Sequence, residues 1–305
     1  MRAFGATGRT GRTVELGEVP QPQPRTDEVL VKVDAYSVNR GETFLLESPP
    51  PNWRPGKDVA GLVVQAAADG SGPAAGRRVV AHPPASGWAE YVAVPTADLA
   101  ELPDQVTTVE AAALPLAGLT ALRLLGTAGA LAGRNVLLTG ASGGVGHYFV
   151  ELAVAAGARV TAVSSSTERG ARLAEFGAVV VERVEDAAGP FDVVLESTGG
   201  PSLAAALARL TPHGQLIWFG QASREPATLS FFDLLHGPVG ATIRHFSYAA
   251  EDRPYGEDLA ALVRLVAEGR LHPEIGVVRD WSETADVLTD LRERRVRGNA
   301  VLTLS

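Results

Sequence analysis

Residues 139–146 read TGASGGVG, and this glycine-rich stretch decides the fold of the chain. The segment NVLL (135–138) before it is typical of a buried strand, and HYFVELAVAA (147–156) after it is typical of a helix. A second apolar run at 159–163 predicts the next strand, so the stretch is the turn of a βαβ unit. Such a turn between strand and helix is suited to binding phosphate, because the helix N-terminus offers free N–H groups.

The glycines match a dinucleotide-binding fingerprint, G-x-G-x-x-G. Ala141 stands at the first position, Gly143 at the second and Gly146 at the third. The second glycine lets a pyrophosphate approach the backbone, and the third lets the helix pack closely on the strand. The alternative is a turn with a purely structural role. We predict cofactor contacts from Gly140, Ser142, Gly143, Gly144, Val145 and Gly146.

The elements around this turn indicate an α/β protein with two domains. Residues 1–115 contain short strands bounded by Pro, Gly and Asp, whereas strands and helices alternate from residue 135. A final strand at 299–304 can return to the first domain. We therefore predict one domain from 1–115 plus 256–305 and a Rossmann domain at 116–255. The alternating region is predicted to have strands at 135–139, 159–163, 178–182, 191–196, 215–219 and 240–246, and helices at 144–156, 167–176, 201–210 and 228–236.

Composition excludes several classes of function. The chain has 305 residues, a formal net charge of −8 and no cysteine. Disulfides, thiolate metal sites and Cys nucleophiles are therefore impossible, and the acidic balance argues against a nucleic-acid partner. The N-terminus lacks the apolar core of a signal peptide, and no run approaches the roughly 18 apolar residues of a membrane span. We expect a cytoplasmic protein without a membrane partner.

The end of the second predicted strand indicates which dinucleotide binds. An NAD site places Asp or Glu there, but this chain reads SSSTER over 164–169. Small hydroxyl groups leave room for a 2′-phosphate, which Arg169 can neutralise. We therefore predict NADPH (NADP+) as cofactor, bound by Ser164, Ser165, Ser166 and Arg169. Alternatively, the serines cap the next helix and Arg169 is a solvated surface charge.

TGASGGVG by itself also fits the short-chain dehydrogenases, which resemble a single Rossmann domain with a downstream Tyr-x-x-x-Lys pair. Here about 130 residues precede the motif. The only lysines, Lys32 and Lys57, lie upstream of it, and neither follows a tyrosine at the required spacing. The sequence therefore does not support a short-chain enzyme.

The full order of elements resembles the medium-chain dehydrogenase/reductase superfamily, in particular its zinc-independent quinone oxidoreductase-like and enoyl reductase-like branch. The resemblance implies a GroES-like β-rich catalytic domain, an inserted Rossmann doubly wound parallel sheet, and an active site in the cleft between them. The matching stretches are YSVNRGE (36–42), RPGKDVAGLVV (54–64), GRRVVAH (76–82), GWAEYVAVP (87–95), EAAALPLAGLTAL (110–122), VLLTGASGGVGHYFVELAVAAGARVTAV (136–163), FDVVLESTGG (191–200) and GQLIWFG (214–220).

The zinc-binding members of that superfamily differ from this chain at the metal site. They carry a Gly-His-Glu motif and a catalytic Cys, whereas this chain has Gly56-Lys57-Asp58 and no cysteine. His82 is the nearest remaining ligand type, and a single histidine cannot hold zinc. We expect no metal, with His82 lining or flanking a pocket or lying at the surface.

Further candidates come from the resemblance and from strand ends. The resemblance implies that Asn39 lies beside the nicotinamide and that Thr120 contacts the cofactor. Asn39 could instead cap a loop after a strand. Thr198 follows the fourth strand of the Rossmann domain, and Gly220 and Gln221 follow the fifth. Ligands of open α/β sheets bind at those carboxyl ends.

The proton donor is harder to assign. Some bacterial quinone reductases have a tyrosine five residues after the Asn, where this chain has Phe44. Tyr36, Tyr91, His245, Tyr248 and bulk water are alternatives, and we take Asn39 and Tyr248 as the catalytic candidates. The apolar loops TFLLESPPPNW (43–53) and HPPASGW (82–88) are expected to shape a hydrophobic pocket, although Trp53 and Trp88 could simply cover core.

Without a metal to polarise it, the substrate must be intrinsically electrophilic, as a conjugated carbonyl compound or a quinone is. We predict an NADPH-dependent oxidoreductase that reduces an activated C=C of such a substrate. The alternatives are an enoyl-thioester reductase of a polyketide or fatty-acid pathway and a non-catalytic nucleotide-binding relative. A homodimer through the strand at 240–246 is the expected assembly.

Overall fold

The computed structural model describes residues 1–9, 11–235, 237–250 and 253–304. The chain divides into two compact units, Met1–Leu119 with Arg253–Ser305 and Thr120–Asp252. None of the helices in these described ranges is long and apolar enough to cross a membrane.

The first unit begins with short strands and two helices. The strands are β1 (Arg2–Ala6), β2 (Val14–Glu18), β3 (Glu28–Val38), β4 (Asp58–Gln65), β5 (Arg78–Ala81), β6 (Tyr91–Pro95) and β7 (Leu99–Glu101), and the helices are α1 (Arg40–Leu45) and α2 (Thr108–Ala112). A third helix, α3 (Pro115–Ala128), continues into the second unit. Pro115 is the first residue of α3 and separates it from α2, because proline fits the first helical turn and cannot continue a preceding helix.

The second unit contains the predicted alternation of strands and helices. Its elements are β8 (Asn135–Leu138), α4 (Gly144–Ala155), β9 (Arg159–Val163), α5 (Thr167–Glu175), β10 (Val179–Val181), β11 (Phe191–Glu196), α6 (Pro201–Leu207), β12 (Leu210–Trp218), α7 (Phe231–Leu235) and β13 (Thr242–His245). The strands are all parallel, in the order β10-β9-β8-β11-β12-β13. This is the strand order of a Rossmann fold. The Rossmann prediction is therefore confirmed.

The helix predicted at 228–236 is shorter than expected. The structure has α7 over Phe231–Leu235, and residue 236 lies outside the described residues. Pro226 precedes this helix closely, and the side chains of α7 are largely exposed, so little packing extends the helix.

The chain then returns to the first unit through α8 (Gly256–Ala267), β14 (Ile275–Asp280), α9 (Thr284–Arg292) and β15 (Asn299–Thr303). β15 pairs antiparallel with β3, which confirms the predicted return of the last strand. The larger sheet of this unit has the order β14-β15-β3-β4-β5-β7, with β6 also paired to β3. β1 and β2 form a separate two-stranded sheet.

β3 is buried on both faces. The alternating Val29, Val31 and Val33 are typical of a strand buried on one face, yet Leu30 and Tyr36 on the other face are also buried. The reason is tertiary, because β3 has neighbours in β4, β6 and β15 and packs into the core of the unit.

Candidate functional site

The glycine turn of the second unit joins β8 to α4. Gly140 has φ +64°, a conformation that favours glycine, and a Cβ on Gly146 would lie 2.1 Å from the carbonyl oxygen of Ala141. Gly146 is therefore required for the close packing of helix on strand. At Gly143, by contrast, φ is −84° and a Cβ would meet only the Gly140 carbonyl oxygen, at 3.5 Å. Nothing among the described residues requires glycine there, so the position fits the close approach of a ligand.

Helix α4 begins without a side-chain cap. Its N-cap is Gly143, and the first backbone hydrogen bond of the helix runs from the His147 N–H to the Gly143 carbonyl, 3.2 Å away. Within the described part of the chain, the N–H groups of Gly144 and Val145 therefore stand at a helix N-terminus with no side-chain cap. The helix dipole adds partial positive charge there, so the turn suits a phosphate. Ser142, which precedes it, is buried.

The serine segment after β9 has structural roles as well. Ser166 caps α5 by accepting a hydrogen bond from the Arg169 N–H, and the Ser164 hydroxyl donates to the Ser166 carbonyl. Ser165 is exposed and Arg169 half-buried. The capping alternative thus holds for Ser166, but its hydrogen bond uses the backbone of Arg169 rather than the guanidinium. The end of β9 carries no acidic residue. A bound 2′-phosphate requires this absence, because a carboxylate at that position would repel it.

A buried carboxylate connects the ends of β8 and β11. Glu196 is fully buried and accepts from the Thr139 hydroxyl, the N–H groups of Thr198 and Gly199, and the Ser202 hydroxyl, at 2.9–3.1 Å. It fixes the chain at Thr198. Glu196 was not identified from the sequence. The signal that could have identified it is an acidic residue at the last position of a largely apolar strand.

The remaining candidates of the second unit lie on separate elements. Gly220 and Gln221 follow β12, so their backbone stands at the same sheet edge as the glycine turn. Thr120 is buried on α3. Tyr248 follows β13 and is half-buried, and its backbone carbonyl accepts from the Arg123 guanidinium at 2.7 Å.

In the first unit, Asn39 stands between β3 and α1. It is the N-cap of α1 and forms a capping box with Glu42, whose carboxyl accepts from the Asn39 N–H at 3.0 Å. The Asn39 side-chain amide donates to Asp58 at 2.7 Å. Asn39 therefore lies at the start of a helix, and the hydrogen bond to Asp58 holds its side chain in one orientation.

Asp58 is the centre of this network, although sequence reasoning mentioned it only as part of the altered zinc motif. It is fully buried at the start of β4. One oxygen accepts from Ser37 and Asn39, and the other contacts His82 Nδ1 and accepts from the Leu116 N–H. His82 is buried against Asp58, so it does not lie at the surface.

Glu42 lies next to this carboxylate and is also buried. Its two oxygens accept from the N–H groups of Asn39 and Gly56. Burial and the neighbouring Asp58 raise the pKa of Glu42 to about 8, against the opposing effect of the two backbone hydrogen bonds and Lys57. The spacing Asn39-x-x-Glu42 is the sequence signal of a capping box and could have identified it.

The alternative proton donors have different surroundings. Tyr36 is fully buried, its hydroxyl hydrogen-bonded to Thr284 and its ring stacked on Trp88. Tyr91 is half-buried and His245 exposed. Trp88 belongs to the core and Trp53 packs against it, so both tryptophans cover core. Phe44 remains exposed.

Metal ligands are not brought together. Among the described residues, no three His, Asp or Glu side chains are grouped so that they could hold a metal ion. Together with the absence of cysteine, this leaves His82 without the partners of a zinc site.

Two family models match the chain. The alcohol dehydrogenase GroES-like domain matches residues 25–104, and the zinc-binding dehydrogenase matches residues 144–268. The first lies in the first unit, and the second covers most of the Rossmann unit and α8. The second model's description names zinc, but this chain lacks the thiolate ligands.

Curated relatives agree with these matches. A chloroplast envelope quinone oxidoreductase homologue of Arabidopsis thaliana is 35% identical over 67% of this chain and 66% of its own length. The quinone oxidoreductase of Rattus norvegicus is 32% identical over 67% of each chain. The 2-methylene-furan-3-one reductase of Solanum lycopersicum is 36% identical over 59% of this chain and 52% of its own length. The chain thus spans about two thirds or less of these relatives' lengths.

Solved structures cover the whole chain. A mycobacterial protein in complex with NADPH is 27% identical, with a TM-score of 0.89 over 99% of this chain and 100% of its own. That complex agrees with the cofactor predicted from the serine segment. The fold, the family models and the relatives lead to one conclusion: the chain belongs to the medium-chain dehydrogenase/reductase superfamily, in its quinone oxidoreductase-like branch.

Proposed function

We propose that this protein is an NADPH-dependent oxidoreductase that reduces an activated C=C, in a conjugated carbonyl compound or a quinone, without a metal ion. The observation that carries the proposal is the N-terminus of α4 behind Gly143, where the described residues provide no side-chain cap and do not themselves require the glycine. That geometry fits a pyrophosphate.

The cofactor assignment rests on the residues around this turn. Gly143, Gly144 and Val145 would hold the pyrophosphate through backbone N–H groups, and Arg169 with Ser165 would face the 2′-phosphate. Bound NADPH would supply the hydride. The chain's own part is to orient the cofactor and the acceptor and to exclude water between them.

The substrate class follows from what the chain lacks and from its relatives. The absence of cysteine leaves no thiolate set for a zinc ion to polarise a simple carbonyl or alcohol oxygen. A quinone or enone needs less activation, because its own conjugation accepts the charge. The relatives include quinone oxidoreductases and a reductase whose substrate carries a methylene group conjugated to a ketone. Asn39 would contact the nicotinamide or the acceptor.

Gly143→Ala tests the cofactor site. A Cβ fits this position within the free chain but would occupy the space of a phosphate, so the variant should fold normally and bind NADPH at least about tenfold more weakly. Gly126→Ala is the matched control, because a Cβ at this position meets nothing within 4 Å. Fluorescence titration with NADPH measures both. If both variants bind NADPH equally tightly, the assignment of the pyrophosphate site to the turn at Gly143 is contradicted.

Steady-state NADPH oxidation with a panel of acceptors tests the reaction. We expect turnover of quinones and enones and none of unconjugated ketones. Preference for crotonyl thioesters would instead indicate an enoyl-thioester reductase. NADPH binding with no hydride transfer to any acceptor would indicate a non-catalytic relative.

We also propose a homodimer, with a second copy of this chain paired at the edge strand β13. All four residues of β13 are exposed, Ile243 among them, and the apolar residues Val239, Phe231 and Phe232, which precede β13 in the chain, are exposed as well. Two antiparallel copies of one edge strand pair across a two-fold axis with identical surfaces, which would cover both the free backbone groups and the apolar side chains.

Ile243→Asp should shift the protein from dimer to monomer in size-exclusion chromatography with light scattering. Val179→Asp is the matched control, because Val179 is an exposed apolar residue on β10, at the opposite edge of the same sheet. A wild-type monomer, or equal effects of both substitutions, would refute this interface.

A further inference from the structure

Asp58 has an environment that no part of the proposed reaction uses directly. Its carboxylate is fully buried and contacts four donors from three separate segments of the first unit. These are the Ser37 hydroxyl and the Asn39 amide on one oxygen, at 2.7 Å each, and the Leu116 N–H and His82 Nδ1 on the other, at 3.0 and 3.2 Å. A buried carboxylate with this many partners is fixed in position.

The carboxylate determines which way the Asn39 amide faces. Both oxygens of Asp58 act as acceptors in these contacts, so Asn39 presents its NH2 group to Asp58 rather than its oxygen. The capping box with Glu42 holds the rest of the residue. The NH2 group has two hydrogens and Asp58 takes one of them. The structure shows no other bond from this group within the described residues.

We infer that Asp58 is a positioning residue, which keeps the second N–H of the Asn39 amide available to donate to a carbonyl oxygen of a bound ligand. The inference rests on the proposed function, in which Asn39 contacts the nicotinamide or the acceptor. A carbonyl oxygen occurs in both, in the carboxamide of the cofactor and in a conjugated acceptor, and in the acceptor it gains negative charge during reduction. A fixed donor in a buried network stabilises that charge more than a mobile one does.

Asp58→Asn is the informative substitution, because the Leu116 backbone N–H dictates the orientation of the new amide. That N–H cannot reverse, so the new amide must turn its oxygen toward Leu116 and its NH2 group toward Asn39. Two NH2 groups would then face each other, and Asn39 must rotate its own oxygen inward. The volume of the side chain at 58 is unchanged, so the fold is expected to survive.

The first measurement needs no turnover. The chain has four asparagines, so selective ¹⁵N-asparagine labelling gives a simple spectrum of side-chain amides. In the wild type, the two Asn39 NH2 protons should be far apart in chemical shift, because one is bound to a carboxylate. In Asp58→Asn this separation should collapse. Unchanged Asn39 resonances would overturn the inference whether or not the protein reduces enones.

The second measurement separates the two possible ligands. Asp58→Asn should lower kcat for a conjugated acceptor about 10- to 100-fold if the Asn39 amide donates to the acceptor. It should instead raise the Kd of NADPH by a similar factor if the amide donates to the cofactor. Either result supports the inference, and a variant with both quantities at wild-type values overturns it.

Thr284→Val is the matched control for a merely structural effect. Thr284 is fully buried in the same unit, and its hydroxyl bonds to Tyr36 and to the Trp281 carbonyl. Its loss should lower the melting temperature while kcat and the NADPH Kd stay within about twofold of the wild type. If Thr284→Val and Asp58→Asn have the same melting temperature and the same change in kcat, the role of Asp58 is only structural. If the wild type reduces no acceptor at all, the proposed function fails and the NMR result still decides the role of Asp58.

Discussion

Asp58 and Glu196 are both fully buried carboxylates with four hydrogen-bonding partners each, yet they are built differently. Three of the four partners of Glu196 lie 2, 3 and 6 residues away in sequence, and only Thr139 is distant. The partners of Asp58 lie 19, 21, 24 and 58 residues away. Glu196 therefore closes a local turn, whereas Asp58 holds together segments that meet only in the folded unit.

The largest expected effect tests this difference directly. Asp58→Ala leaves four donors from three segments without an acceptor, three of them buried, and should lower the free energy of unfolding by about 3–5 kcal/mol. Glu196→Ala should cost less, about 2–3 kcal/mol, because the N–H of Thr198 and the hydroxyl of Ser202 lie in partly buried surroundings and can be hydrated. Urea denaturation measures both losses. Equal losses, or the reverse order, would show that hydration of the Glu196 donors does not reduce the cost of losing this carboxylate.

The next effect concerns pH and Glu42. Its pKa is raised to about 8 in the folded protein from 4.5, so between these values the unfolded chain releases a proton that the folded protein keeps. The contribution of Glu42 to the free energy of unfolding is therefore largest below about pH 4.5. It falls as the pH rises to about 8, by an amount on the order of a few kcal/mol. Glu42→Gln should remove this slope, as measured by denaturation at several pH values.

Glu110→Gln provides the control for that experiment. Glu110 holds the same position in the capping box of α2, but its hydrogen bonds with Thr107 are exposed. The slope should remain in this variant. Its disappearance there, or its persistence in Glu42→Gln, would contradict the assignment to the buried network.

A smaller effect concerns the second unit, where Arg169 is placed by the start of α5. Arg169→Ala should weaken NADPH binding by about 1.5–3 kcal/mol and leave NADH binding nearly unchanged, because only NADPH carries the 2′-phosphate. Titration with each cofactor gives the ratio. Arg172→Ala is the control, since Arg172 pairs with Glu175 at the other end of the same helix. An equal loss for both cofactors would refute the phosphate contact.

The smallest effect separates the structural from the ligand-binding serines. Ser166→Ala removes the cap of α5 and should lower stability by about 1 kcal/mol in thermal unfolding. Ser165→Ala should leave stability unchanged, because the Ser165 side chain is exposed. If the two variants lose the same stability, capping is not the structural role of Ser166.

The Rossmann unit was predictable from the sequence to within a few residues at most boundaries. Its signals are local, since apolar runs, glycines after helices and the turn at 139–146 lie within the elements they define. The short strands β1 and β7 and helix α1 were not predicted. Each has six residues or fewer, too few for a periodic pattern, and β1 and β7 form by pairing with other strands, β2 and β5.

The same division holds for the candidate residues. The sequence alone determined the parallel sheet, the phosphate turn and the absence of any thiolate metal site, because each depends on neighbouring residues or on composition. Only the tertiary structure decided that Asn39 faces Asp58, that His82 is buried against the same carboxylate and that Glu42 is removed from solvent. The physical reason is that burial and charge pairing depend on which segments meet, and these segments are separated by up to 58 residues of chain.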